Sequence, residues 1–230
     1  MKKKQVKKEL TMLESLDALV EEHHLRKHPF YQAWTEGALS RESLQIYAEQ
    51  YYHHVRAFPQ NLRQLATRAN GSLAEVVNGN LSEGLDAAGS QQLWRQFAES
   101  LGVADADLDR ARPLPGVAAQ LDTFDEIACE GTPAQAVAAF YVYEAQAPEL
   151  GARKVSGLRR FYDINDSRAL AYFLAHEETD VRHRAAWREW LASQKNADTF
   201  GVLCAAERIL KALWGALDAV YPQACAAAKN

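Results

Sequence analysis

Two histidines and an aspartate lie at helical spacing in a segment rich in good helix formers. His176, Asp180 and His183 stand at positions i, i+4 and i+7, so an α-helix would project all three side chains from one face. In helical bundles, histidine and acidic side chains at one-turn spacings form the inward faces of di-iron and di-manganese carboxylate sites. The segment therefore predicts metal ligands; the alternative is a solvated acidic helix face that happens to hold two histidines.

A pair of metal ions in a helical core needs further carboxylates from facing helices, because buried cations must be neutralised by anionic ligands. Glu144 lies in the segment 138–147, whose other residues are mostly apolar. A carboxylate in such surroundings is rarely left unpaired, so Glu144 is a predicted ligand, with a partly exposed helix edge as the alternative. Glu83 is a weaker candidate by itself, since acidic residues are common on surface helices.

Composition limits the partners and the location of this chain. Of its 230 residues, 48% are hydrophobic, which is enough for a sizeable core. A net charge of −4 argues against a nucleic-acid partner. We find no leader-like segment and no apolar run long enough for a membrane span, which predicts a cytoplasmic protein. We expect one domain over 10–230 after a disordered basic tail, 1–9.

Helical patterning dominates the chain, and strand signals are nearly absent. The sequence therefore predicts an all-α fold. Candidate N-caps are Ser40, Thr132 and Asp166. The predicted helices are 10–26, 41–69 with a break at Pro59, 73–87, 90–101, 115–130, 133–150, 152–162, 167–191 and 197–220.

Five segments, in their order along the chain, resemble the CADD family (Chlamydia protein associating with death domains). They are the His-Pro-Phe-Tyr segment 28–34, the tyrosine- and histidine-rich segment 47–59, and residues 92–97, 143–146 and 176–183. This family belongs to the haem-oxygenase-like, TenA and PqqC-like superfamily. The resemblance implies a haem-oxygenase-like bundle of seven or more helices, a homodimer, and a non-haem dimetal centre of two iron ions or of iron and manganese.

Position by position, the resemblance assigns the metal ligands to Glu83, Glu144, His176, Asp180 and His183. The sixth position departs from the family pattern, since Ser90 stands where the family has a histidine. A hydroxyl group is a poor ligand beside imidazole and carboxylate, so one metal should lose its nitrogen donor. Asp86, at i+3 from Glu83, or a water molecule would fill the vacancy.

The same resemblance implies the synthesis of 4-aminobenzoate for folate, with dioxygen as co-substrate, an external reductant, and a tyrosine of the protein itself as precursor. Tyr31 would be the sacrificed residue, and Lys154 would supply the amino nitrogen. Tyr47 would lie near the metals, and Tyr143 would flank Glu144. Burial near positive metal charge would lower the pKa of the lysine and so favour its nucleophilic, neutral amine.

Two other functions stay open on the sequence alone. An oxidase or oxygenase of the same superfamily would act on a free small molecule and would itself stay intact. A binding or interaction module is the other alternative, because the loss of the histidine at Ser90 would weaken the metal site. Tyr31 also suits an ordinary core aromatic, which is the commoner fate of such side chains at helical spacing.

Overall fold

The computed structural model describes residues 10–83 and 87–227, and the side chains of 83, 87, 88, 178 and 223–227 lie outside this description. All regular structure within those residues is helical, which confirms the all-α prediction. The elements are a 3-10 turn (Leu25–Lys27) and the helices α1 (Met12–Glu22), α2 (Pro29–Glu36), α3 (Arg41–Arg68), α4 (Gly71–Glu83), α5 (Ala87–Leu101), α6 (Asp105–Arg110), α7 (Pro115–Glu130), α8 (Pro133–Glu144), α9 (Ala147–Phe161), α10 (Ser167–Ser193) and α11 (Thr199–Ala227).

Three helices begin where the sequence predicts. The side chains of Ser40, Thr132 and Asp166 each accept a hydrogen bond from a backbone N–H in the first turn of the following helix. Each bond satisfies an amide that the helix itself leaves unpaired. These caps fix the starts of α3, α8 and α10, which carry most of the predicted site residues.

The predicted break at Pro59 is wrong, because α3 continues through the proline. Proline removes one backbone hydrogen bond and crowds the preceding turn of a helix. Here α3 packs against α5, α7 and α11, and the neighbouring Phe58 makes ring contacts with Phe124 and Phe140. We infer that this tertiary packing outweighs the local penalty.

The predicted helices 133–150 and 152–162 are divided at a different place. α8 ends at Glu144 and α9 begins three residues later, so Gly151 lies inside α9 and not between two helices. The signal for the true boundary is Pro148, because proline suits the first turn of a helix but not its interior. The short helices α2 and α6 are not among the predicted elements.

α8 is surrounded by the rest of the bundle. Its residues from Ala136 to Val142 are all buried, as expected of a helix that is apolar around its whole circumference. α10 packs against α5, α8 and α9, and α3 also contacts α8. The carboxyl end of α8 therefore brings Tyr143 and Glu144 close to the two long helices α3 and α10.

A glycine allows α9 to approach α2 closely. A Cβ atom on Gly157 would lie 2.7 Å from Cδ1 of Trp34, so any larger residue there would force atoms apart. The indole Nε1 of Trp34 donates a hydrogen bond of 3.3 Å to the backbone oxygen of Lys154. This approach sets the position of Lys154 against the aromatic residues of α2.

None of the described helices is both long and apolar enough to cross a lipid bilayer. The predicted tail, 1–9, lies outside the described residues. The single domain over 10–230, the cytoplasmic location and the homodimer stay predictions.

Candidate active site

A cavity of about 450 Å³ is bordered by α3, α4, α5, α8, α9 and α10. Its wall contains the predicted site residues Tyr143, Glu144, Lys154, His176, Asp180 and His183. Ser90 also lines this cavity and is buried. Glu83 is the last residue of α4, but its side chain lies outside the described residues, and so does the whole of Asp86.

Tyr31 and Tyr47 line a second, smaller cavity of about 50 Å³. His54 and Tyr143 contribute to the walls of both cavities. The structure therefore brings the predicted site residues with described side chains into one region, in which Tyr31 and Tyr47 line the smaller cavity.

The tyrosine–lysine cluster consists of Tyr31, Tyr47, Tyr51, Tyr143, Tyr172 and Lys154. The hydroxyl oxygens of Tyr31 and Tyr47 are 3.0 Å apart, and those of Tyr51 and Tyr143 are 2.6 Å apart. Tyr51 also shares a side-chain hydrogen bond with Tyr172. Each phenol of the cluster thus has a hydroxyl partner supplied by another phenol.

Lys154 is buried within this cluster, with 7% of its surface exposed. Its Nζ lies 5.0, 5.4 and 5.1 Å from the ring centres of Tyr31, Tyr47 and Tyr51. Burial lowers the pKa of Lys154 from its usual 10.5 to about 7, although the charge of Asp180 acts in the opposite direction. A large fraction of this amine is therefore neutral near neutral pH.

Burial has the opposite effect on the phenols. It raises the pKa of Tyr31 and of Tyr47 far above the usual value, and that of Tyr51 to about 12. These hydroxyl groups keep their protons at neutral pH, so the one-electron oxidation of such a ring must also release a proton.

The histidine–carboxylate cluster consists of Glu144, His176, Asp180 and His183. One oxygen of Glu144 accepts a 2.7 Å hydrogen bond from Nε1 of Trp187, and the other lies 3.8 Å from Nδ1 of His183. Nδ1 of His176 is 2.6 Å from the backbone oxygen of Tyr172, and donation from Nδ1 leaves the lone pair on Nε2. Nε2 of His183 is buried and has no hydrogen-bond partner among the described residues.

Burial also governs protonation in this second cluster. It raises the pKa of Glu144, and, together with the charge of Glu144, it holds the pKa of Asp180 well above its usual range. It lowers the pKa of His176. A buried imidazole nitrogen without a partner, as in His183, is costly.

The chemistry of these donors fits iron or manganese, which accept imidazole nitrogen and carboxylate oxygen. Among the described side chains, however, no three His, Cys, Asp or Glu residues converge closely enough to hold a metal ion. The unpaired nitrogen of His183 supports the fit, and the side chain of Glu83 is outside the described part of the chain. The metal-ligand roles therefore stay predictions.

Three neighbours of the predicted residues complete the two clusters. The sequence places Tyr51 on one helix face with Tyr47 and His54, which suits a pocket wall as well as a radical path, whereas Tyr172 and Trp187 were not predicted to act in the site. Tyr51 follows Tyr47 by one helical turn, and Trp187 follows His183 by one turn. Tyr172 precedes His176 by one turn. One-turn spacing from a candidate residue is the sequence signal for all three, because side chains at i and i+4 share a helix face.

Solved structures with the same arrangement of helices define the class of fold. A TenA homologue from Pseudomonas syringae pv. tomato superposes with a TM-score of 0.81 at 15% identity, covering 92% of this chain and 93% of that one. A domain of unknown function with a haem-oxygenase-like fold, from Shewanella denitrificans, superposes with a TM-score of 0.78 at 18% identity, covering 92% and 91%. The predicted haem-oxygenase-like fold is confirmed.

Sequence comparison then gives the family. The model of the TENA/THI-4/PQQC family matches residues 14–196, and the chain belongs to this family. It is 35% identical to the 4-aminobenzoate synthase of Nitrosomonas europaea, over 94% of this chain and 93% of that protein. It is 33% identical to the 4-aminobenzoate synthase of Chlamydia muridarum, over 95% and 94%. Identity to the pyrroloquinoline-quinone synthase of Ruegeria pomeroyi is 24%, over 90% and 88%.

Proposed function

We propose that this protein makes 4-aminobenzoate, with the side chain of Tyr31 as the source of the ring and Lys154 as the source of the amino nitrogen. The observation that carries the proposal is the approach of the buried Nζ of Lys154 to within 5.0 Å of the Tyr31 ring centre. The relatives named 4-aminobenzoate synthase, which match almost the whole chain, support the same activity.

Two non-haem metal ions, iron with iron or iron with manganese, would supply the activation of dioxygen, with electrons from an external reductant. The residues that would hold them are Glu83, Glu144, His176, Asp180 and His183. The unpaired Nε2 of His183 and the buried carboxylate of Glu144 support this assignment. A carboxylate and imidazole donor set is also what iron and manganese prefer.

The residues of the chain itself prepare both reactants. The hydroxyl contact with Tyr47 holds the phenol of Tyr31 in one orientation. The aromatic rings around Lys154 exclude water and lower its pKa, so the amine keeps the lone pair that a nitrogen nucleophile needs. Proximity of this kind replaces a bimolecular encounter by a reaction within one molecule.

Isotope labelling tests the origin of the product atoms. Protein containing ¹⁵N-lysine and ¹³C-ring tyrosine is loaded anaerobically with Fe(II), with or without Mn(II), and is then exposed to reductant and O₂. We expect 4-aminobenzoate that carries both labels, and a mass spectrum of the whole protein that shows a loss of mass at Tyr31.

Two variants serve as controls. Tyr31→Phe should give no product. Tyr52 is another buried tyrosine on α3, and Tyr52→Phe should give as much product as the wild type. Unlabelled product, or full product from Tyr31→Phe, would disprove the proposal.

Ser90→His tests the altered ligand position. Ser90 lines the larger cavity, so a histidine there would return the nitrogen donor that the family pattern contains. We expect more metal bound per chain and more product than in the wild type. Equal metal content in both proteins would show that Ser90 does not limit the site.

An oxidase that acts on a free small molecule is the second candidate. The cavity volume of about 450 Å³ favours it, because ligand pockets begin at about 300 Å³. Such an enzyme stays at full mass and turns over many times, whereas a protein that consumes Tyr31 reacts once. Intact-mass measurement after O₂ exposure separates the two functions.

A further inference from the structure

The tyrosine–lysine cluster contains two hydroxyl pairs, and Tyr51 connects them. Its own hydroxyl group belongs to the pair with Tyr143, at 2.6 Å. Its ring stacks on that of Tyr47, with the ring centres 5.4 Å apart and an angle of 27° between the planes. Tyr47 in turn holds the hydroxyl group of Tyr31 at 3.0 Å. Tyr51 therefore contacts the Tyr31 side of the cluster through its ring and the opposite side through its hydroxyl.

Tyr51 is also linked to the histidine–carboxylate cluster. It shares a hydrogen bond with Tyr172, and the rings of Tyr172 and His176 are 4.3 Å apart. The backbone oxygen of Tyr172 accepts the hydrogen bond of His176 Nδ1. Ring and hydrogen-bond contacts thus run without interruption from His176 through Tyr172, Tyr51 and Tyr47 to Tyr31.

We propose that Tyr51 is a positioning and electron-relay residue, through which the oxidation of Tyr31 is coupled to the histidine–carboxylate cluster. This inference rests on the proposed function. Tyr31 lines the smaller cavity, whereas Glu144, His176, Asp180 and His183 line the larger one. Tyr51 contacts both Tyr47 and Tyr172, so it can pass the oxidation from one cluster to the other.

The step balances in electrons and protons. Tyr31 loses one electron and the proton of its hydroxyl group, so its O–H bond breaks and a phenoxyl radical forms. The electron passes through the rings of Tyr47 and Tyr51 towards the histidine–carboxylate cluster, where the proposed metal ions would supply an oxidant made from dioxygen and the external reductant. That oxidant takes up the electron and the proton. Tyr47 and Tyr51 return to the state in which they began.

The hydroxyl group of Tyr51 is needed for this relay, and the ring alone is not sufficient. A phenol that gives up an electron must also release its proton. The hydroxyl contacts of Tyr51 with Tyr143 and Tyr172 offer a path for it, along which each phenol takes up one proton as it passes its own on. Phenylalanine at this position would keep the stack on Tyr47 but would lose both hydrogen bonds and the oxidisable group. Tyr51→Phe therefore tests the relay with little change in packing.

Tyr52→Phe is the matched control. Tyr52 is the next residue of α3, is almost fully buried, and packs against the guanidinium groups of Arg56 and Arg95, outside the tyrosine–lysine cluster. In Tyr51→Phe we expect wild-type metal content and O₂ uptake, with loss of Tyr31 mass slowed by about tenfold or more. In Tyr52→Phe we expect all three quantities to match the wild type. Loss of Tyr31 at the wild-type rate in Tyr51→Phe would overturn the inference.

Spectroscopy gives a readout that does not depend on product. 3-Aminotyrosine is oxidised more easily than tyrosine and keeps the hydroxyl group, so at position 51 it should trap the radical. We expect its electron paramagnetic resonance signal after O₂ exposure of the variant substituted at 51, and none from the variant substituted at 52. No signal at 51 while O₂ is consumed would also overturn the relay.

The two proposals fail in different ways. If the wild type makes 4-aminobenzoate and the variants at position 51 behave like the wild type, the relay is wrong and the proposed function stands. If the wild type loses mass at Tyr31 without making 4-aminobenzoate, and Tyr51→Phe slows that loss, the relay stands and the proposed product is wrong. If the wild type consumes no O₂, both are wrong.

Discussion

The two clusters of the candidate site differ in how completely the chain pairs their polar atoms. In the tyrosine–lysine cluster, the phenols bond to one another, and Lys154 is enclosed by their rings. In the histidine–carboxylate cluster, Nε2 of His183 has no partner among the described residues. The 3.8 Å between His183 and Glu144 also exceeds a hydrogen bond.

Under the proposed function, the fold alone pairs the phenols of the first cluster, and the bound metal ions would supply the partners that the second cluster lacks. Aromatic packing and hydroxyl pairs hold the tyrosine–lysine cluster in one geometry without any added group. In the other cluster, the buried Nε2 of His183 has no partner among the described residues, and an unpaired buried polar atom lowers stability. The two clusters should therefore respond differently to substitution and to metal.

Lys154→Met should have the largest effect on the reaction and little effect on the fold. It removes the proposed nitrogen source, so 4-aminobenzoate should fall below detection by mass spectrometry. Stability at pH 7 should stay equal or rise in urea unfolding, because methionine is of similar length and a buried amine is costly. Arg153→Met, at the neighbouring exposed position, should leave both unchanged. Undiminished product from Lys154→Met would exclude the lysine as nitrogen donor.

Metal should stabilise the wild type through the incompletely paired cluster. A ligand at 100 times its dissociation constant adds about 2.7 kcal/mol when it binds only the folded state. We expect Mn(II) to raise the unfolding midpoint of the wild type in differential scanning fluorimetry, and not that of His183→Ala. His53→Ala is the control, since His53 also has an unpaired Nε2 but lines neither cavity. Equal shifts in wild type and His183→Ala would remove His183 from the ligand set.

Trp187→Phe should remove the hydrogen bond that Glu144 accepts from the indole of Trp187. Loss of the indole N–H leaves a buried carboxylate without its donor, at a cost of about 1–3 kcal/mol in urea unfolding. Trp214→Phe is a comparison, because that indole donates to the backbone oxygen of His23, which is only partly buried. A smaller loss is expected there. If Trp187→Phe lost no more free energy of unfolding than Trp214→Phe, the hydrogen bond to Glu144 would contribute no more to stability than the one to His23.

pH should have the smallest effect, acting through Lys154. Its pKa is lowered to about 7, and only the neutral amine is nucleophilic. The neutral fraction therefore rises as pH rises through 7, and the initial rate of product formation should increase by about tenfold between pH 6 and pH 8. A rate independent of pH over that range would show that the amine is not used in its neutral form.

Local sequence patterns predicted those features that depend on neighbours along the chain. The caps at Ser40 and Thr132 follow from side chains that bond within their own first turn. The apolar surroundings of Glu144 predicted a buried carboxylate, and 2% of its surface is exposed. Helical spacing likewise predicted that His176 and His183 face one side, and both line the same cavity.

Features that depend on contacts between residues far apart in the chain could not be predicted from the sequence. The position of Lys154 follows from the packing of Gly157 against Trp34, more than one hundred residues away in the chain. The pairing of Tyr51 with Tyr143 joins α3 to α8, and no local pattern specifies it. The continuity of α3 through Pro59 is another such case, because packing against other helices overrides the local preference.

The burial of Tyr31 links the proposed chemistry to the lifetime of the protein. Only 6% of this residue is exposed, and its ring packs against Phe30, Trp34 and Tyr47. A chain that gives up this side chain would keep a void in its core, and removing a large core side chain costs about 3–5 kcal/mol. Since whole proteins are stable by only about 5–15 kcal/mol, the spent molecule would unfold far more often and be open to proteolysis. A protein molecule that has made its product would therefore be degraded by proteases faster than one that has not.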